Sequence, residues 1–95
     1  MRPYELTFIV APDADDQEFN TLVEQIKGWL TESGANVTKT DVWGRRHLAY
    51  PIRSFNEGFY VSLNFEMAPD ATVQLERNLR LSQKVIRHLL IRADA

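Results

Sequence analysis

The stretch VTKTDVWGRRHLAYPI, residues 37–52, decides how the rest of the chain is arranged. It has no helical period and reads as extended, but its parity changes part-way. Val37 stands at an odd position, whereas Leu48, Tyr50 and Ile52 are even. Successive side chains of a strand point to opposite faces, so one strand serves both parities only through an inserted residue. Trp43-Gly44 is the natural place for that bulge. The stretch is therefore one long, bent strand.

On its C-terminal side, SFNEG (54–58) reads as a hairpin loop, and FYVSLNFEM (59–67) alternates with Phe59, Val61, Leu63, Phe65 and Met67 on one buried face. APDA (68–71) is placed to cap a helix whose inner face holds Leu75 and Leu79, with Val73 at its flank. Ser82-Gln83 ends that helix, and VIRHLLIR (85–92) reads as a last strand. On the N-terminal side, Gly34 stops a helix in which Phe19, Leu22, Val23, Ile26, Trp29 and Leu30 recur at spacings of three and four. Asp13, Asp15 and Asp16 precede it, where side-chain oxygens cap a helix and its dipole favours negative charge. YELTFIV (4–10) is a first strand with Tyr4, Leu6, Phe8 and Val10 on one apolar face.

The order βαββαβ predicts an α+β fold, the ferredoxin-like split β-α-β sandwich: a four-stranded antiparallel sheet with two helices on one face. Residues 1–95 suffice for a single domain. The second and fourth strands fall at the sheet edges. The uncovered face is expected to show Glu5, Thr7, Ile9, Tyr60, Ser62, Asn64, Glu66, Leu89 and Ile91.

Composition narrows the chemistry. The chain has no cysteine, which excludes disulfides, thiolate catalysis and thiolate metal ligation. Its opening, MRPYELTFIVAPD, is too broken by polar residues for a signal peptide or a membrane span. His47 and His88 stand far apart without a motif neighbour, and the four glycines (28, 34, 44, 58) stand singly, so no glycine-rich phosphate loop exists. An acylphosphatase-like enzyme would need its phosphate loop at APDADD, where carboxylates repel phosphate. No enzyme, cofactor, metal or small-molecule substrate is expected.

Net charge is −2, with acidic residues crowded between Asp13 and Glu32 and arginines gathered at 45–53 and 77–92. An unaided nucleic-acid binder usually has a basic balance, so any RNA contact must come from a local patch or with a partner's help. The stacking aromatics that RNA-recognition domains of this fold place on their free sheet face are missing, since only Tyr60 stands there among Thr7, Ser62, Asn64 and Glu66. Charges at Lys39, Asp41, Arg45 and Arg46, with Pro51, suit a protected sheet edge. Edge protection does not account for arginines flanking a Tyr-Pro pair, which suit docking on a ribonucleoprotein surface.

GRRHLAYPIR (44–53) resembles, position for position, the signature of bacterial small-subunit ribosomal protein six: Gly, any residue, basic, polar, Leu, Ala or Ser, Tyr, any residue, Ile, then basic or small polar. MRPYEL, FEMAPD and RLSQKVIRHLLIR are similar to other stretches of that family, so the resemblance spans nearly the whole chain. It implies the same fold, no catalysis, a cytoplasmic ribosomal location, and binding to the central domain of small-subunit ribosomal RNA as a heterodimer with small-subunit protein eighteen. By the same resemblance, RNA contacts fall to Arg2, Arg45, Arg46, Tyr50, Arg53, Arg87 and Arg92, with Tyr4 near the rim that holds Tyr50. The protein partner falls to Asp41, Arg45, Arg46, His47, Tyr60, Leu89 and Ile91. Some members carry a long charged C-terminal tail, whereas this sequence ends at Ala95, three residues after Arg92. A protein-interaction or small-ligand regulatory module of the same fold is the competing reading.

Overall fold

A computed structural model describes residues 1–93. The elements run β1 (Arg2–Val10), α1 (Asp16–Glu32), β2 (Asn36–Ile52), β3 (Phe55–Met67), a 3-10 turn (Pro69–Ala71), α2 (Thr72–Leu81) and β4 (Val85–Arg92). All three strand pairings are antiparallel, in the order β2-β3-β1-β4. This is the βαββαβ sandwich expected from periodicity, with β2 and β4 at the edges.

Helix α1 is fixed at both ends by its own sequence. Asp15 accepts from the Glu18 amide at 2.8 Å while the Glu18 carboxylate accepts from the Asp15 amide at 3.1 Å, a reciprocal capping box. At the other end Gly34 sits at φ +84°, and the Ala35 amide donates to the Leu30 carbonyl at 2.9 Å, closing a Schellman motif. Helix α2 begins differently from the expectation. APDA forms the 3-10 turn rather than a side-chain cap, the cap residue Ala71 supplies no side-chain bond, and the Thr72 hydroxyl donates back to the Pro69 carbonyl at 2.7 Å.

The main core lies between the helices and one face of the sheet. Leu6, Phe8, Val61, Leu63, Phe65 and Met67 meet Leu22, Ile26, Leu30, Leu75 and Leu79 there. Each large side chain so buried contributes about 1.5–3 kcal/mol relative to exposure. Tyr4 belongs to this core, with its ring stacked on Phe65 at 6.0 Å, so it does not share Tyr50's rim.

Strand β2 breaks register three times, the last between His47, opposite Glu57, and Ile52, opposite Phe55. Val42 faces Val61 and Gly44 faces Tyr60, so Trp43 is the inserted residue, and Gly44 takes φ +85°. An earlier bulge lies at Thr38, between the pairs Val37–Phe65 and Lys39–Asn64, where the Thr38 hydroxyl donates to the Asn64 carbonyl at 3.1 Å. The loop expected at 54–58 is strand instead: β3 starts at Phe55, and Arg53 (φ +50°) and Ser54 (φ +70°) alone make the turn between paired Ile52 and Phe55. Two positive φ angles are those of a type I′ turn, whose twist matches that of the flanking strands.

The far half of this hairpin curls over the second face of the sheet. Tyr50 of β2 meets Arg87 of β4, although these strands are opposite edges. Beneath, Leu48, Ile52, Phe55 and Tyr60 pack against Ile9, Ala11 and Ile86, a second small apolar cluster. Ile9, expected on an uncovered face, is therefore buried at 6% exposure, and Ser62, expected there too, is 4% exposed. Gly58 permits the close approach: a Cβ there would lie 2.4 Å from Ile9 Cγ2 and 3.1 Å from the Val10 carbonyl oxygen. Among the described residues no helix is long and apolar enough to cross a membrane.

Candidate nucleic-acid interface

The arginines assigned to RNA fall into two groups. Arg45, Arg46, Arg53 and Tyr50 stand on the curled hairpin, and Arg87 of β4 meets Tyr50. Arg2 stands opposite Met67 and Arg92 opposite Tyr4, at the other end of the sheet. Five residue steps along β1, from Tyr4 to Ile9, separate the partners of Arg92 and Arg87, which is about 17 Å of strand.

Within the hairpin group the side chains differ in what already holds them. Arg45 is ion-paired with Glu57 and lies 4.9 Å from the centre of the Phe59 ring. Its charge is largely answered inside the molecule. Arg46 is exposed and donates a long hydrogen bond, 3.4 Å, to the neighbouring carbonyl of Arg45. Arg53 donates to the Gln83 carbonyl at 3.2 Å. Arg87 donates to the Tyr50 hydroxyl, with its guanidinium 5.7 Å from that ring's centre. Among the described residues none of these last three guanidiniums faces a carboxylate in an ion pair.

Residues assigned to the protein partner also divide. Asp41 faces Ser62, Ser62 faces Thr7 and Thr7 faces Leu89, so Asp41 and Leu89 lie in one row on one face of the sheet. Lys39, Asn64, Glu5 and Ile91 form the next row, and Lys39 contacts Asp41 at 3.5 Å. Tyr60 and Arg46 share that face. Arg45 and His47 do not, since they stand opposite Phe59 and Glu57 on the helix side. Leu89 and Ile91 remain exposed, at 60% and 45%.

Two features of this surface escaped the sequence reading. The Trp43 and Tyr60 rings stack at 5.9 Å with only 1° between their planes, leaving Trp43 exposed. Trp43 served in the sequence only to mark a bulge, and the bulge is what swings it onto Tyr60. Under the hairpin lies a cavity of about 310 Å³, lined by Ile9, Leu48, Tyr50, Ile52, Tyr60 and Arg87 among others. Neither follows from alternation, because both depend on how far the strand bends.

His88 Nε2 lies 3.6 Å from Glu76 Oε1, a contact that ties β4 to α2, and His47 stands across from Glu57. No set of three or more His, Asp or Glu side chains among the described residues is arranged to hold a metal ion. What the surface offers is planar guanidinium forks suited to phosphate, beside exposed aromatic and aliphatic side chains suited to burial.

Comparison with known proteins agrees along the whole length. The sequence profile of ribosomal protein S6 matches residues 3–92. A small ribosomal subunit protein bS6 from Caldanaerobacter subterraneus subsp. tengcongensis is 43% identical over 94 residues, covering 99% of both chains. The bS6 of Alkaliphilus metalliredigens is 45% identical over 92 residues, covering 97% of each. The crystal structure of 30S ribosomal protein S6 from Thermotoga maritima superposes with a TM-score of 0.93 at 34% identity, over 96% of this chain and 86% of that one.

Proposed function

This chain belongs to the ribosomal protein S6 family, a structural and non-enzymatic constituent of the small ribosomal subunit, and from that premise we propose that it binds the central domain of small-subunit ribosomal RNA as a heterodimer with small-subunit protein eighteen. A bacterial small-subunit protein works on the ribosome, in the cytoplasm. The observation that carries the finer reading is the set of Arg46, Arg53 and Arg87, exposed and without carboxylate partners among the described residues, on a chain whose net charge is −2. Arginines left without counter-charge on an acidic protein suit a polyanion, and release of its counterions supplies the affinity. The acidic remainder of the chain suits a basic partner, which supplies further phosphate neutralisation and is steered by complementary charge. Across the sheet, the row from Asp41 to Leu89 and the exposed Ile91 offer that partner a mixed polar and apolar surface.

The test is a titration of central-domain RNA with and without protein eighteen at two salt concentrations. Tight, salt-sensitive binding that requires the partner is the expected result. No binding in either condition would remove the reading. A small-ligand regulatory module would use the cavity of about 310 Å³ under the hairpin instead, and its binding to an apolar ligand would vary little with salt.

A further inference from the structure

We propose that Arg53, Arg80 and Arg87 form one cradle for the phosphodiester backbone of RNA, an assignment that rests on the ribosomal reading above and extends it to a residue the sequence did not single out. The three come from distant parts of the chain: the two-residue turn, the last turn of α2 and the start of β4. They line a cavity of about 400 Å³, which adjoins the one under the hairpin through Arg87 and His88 and is floored by Leu79, Val85 and Ile86.

Three observations give the cavity its chemistry. All three arginines are exposed. Their anchors are neutral: Arg53 holds the Gln83 carbonyl and Arg87 the Tyr50 hydroxyl, so each fork keeps further N–H donors for a ligand. The acidic side chains of this end contact other residues than these arginines. Glu76 is 3.6 Å from His88, which itself lines the cavity, while Asp13 and Glu18 approach Lys84 at 3.2 and 4.0 Å. No ion pair to Arg53, Arg80 or Arg87 exists among the described residues. Three like charges left together this way destabilise the isolated chain slightly and favour a dense anion. Planar forks around one opening match closely spaced phosphates, and the shallow apolar floor suits the sugar edges between them. Arg45, by contrast, is answered by Glu57 and lies outside this cavity.

The experiment measures entry of the labelled full-length chain into small subunits assembled from ribosomal RNA and the remaining small-subunit proteins, over a series of salt concentrations. Arg80→Gln is compared with Arg77→Gln, which removes the same charge from the same helix outside the cavity. Thermal unfolding verifies that both variants fold. Arg80→Gln is expected to weaken entry roughly tenfold at low salt and to lower the salt slope by about 0.7–0.9, the signature of one lost phosphate contact. Arg77→Gln should change neither. Equal effects of the two variants would overturn the cradle. Weakened entry with an unchanged salt slope would assign the cavity to a protein neighbour and overturn the RNA assignment. A wild-type chain that fails to enter would overturn the ribosomal reading, and the cradle with it.

Discussion

The two faces of the sheet are closed by different means. On one, two helices lay Leu22, Ile26, Leu30, Leu75 and Leu79 over fully buried strand residues. On the other, a hairpin folds back and covers only Ile9, Ala11 and Ile86 well. The first closure rests on the volume of many side chains. The second rests on backbone shape: three register breaks in β2, a two-residue turn with positive φ, and one glycine where a Cβ does not fit. A face closed by shape leaves its polar rim free to carry charge, and the unanswered arginines are found there.

Substitutions can break or sharpen this contrast. Leu75→Ala, on the helix-covered face, should cost roughly 2–5 kcal/mol in chemical denaturation, because the cavity left in a packed core adds to the lost transfer energy. A near-neutral result would mean that α2 is not a closing element. Gly58→Ala should cost about 1–3 kcal/mol through overpacking against Ile9. Coupling to Ile9→Ala, which removes the Cγ2 in the way, in a double-mutant cycle should recover part of that loss, and strict additivity would show that the clash relaxes elsewhere. Tyr50→Phe removes the hydroxyl that Arg87 holds; Tyr50 is 56% exposed, so less than about 1 kcal/mol should be lost. Arg46→Ala should shift stability by no more than about 0.5 kcal/mol. It should nevertheless weaken assembly with RNA and partner, and destabilisation by several kcal/mol would make Arg46 a structural residue.

The helix-covered face was legible because alternation and three-four spacing report burial directly: every strand residue from Leu6 to Met67 assigned to that core is there or packed against it. The bulge at Trp43-Gly44 was legible because parity demanded it. The bulge at Thr38 was not, since Thr and Lys carry no apolar parity to violate. The turn was misread because Arg53-Ser54 lacks the Asn-Gly or Asp-Gly that marks a type I′ turn, while the polar SFNEG looks like a loop. Ile9 was placed in the open because strand parity names a face but not what covers it. The candidate arginines were legible as a group through the motif that holds them. Their division into an answered Arg45, three unanswered neighbours and a distant pair at Arg2 and Arg92 depends on register and on where Glu57 falls, which no spacing reports.

The sheet order also sets a timetable. β2 and β3 are joined by two residues and form a hairpin of the kind that closes in roughly 1–10 μs. β1 sits between β3 and β4, and its second partner runs from Val85 to Arg92. At synthesis rates of about 5–20 residues per second, β4 follows β1 out of the ribosome by roughly 4–15 s. For that interval one edge of β1 is open, with Leu6, Phe8 and Val10 beside it. Chains stalled before Val85 are expected to be cut by protease within β1, and chains released past Arg92 to resist.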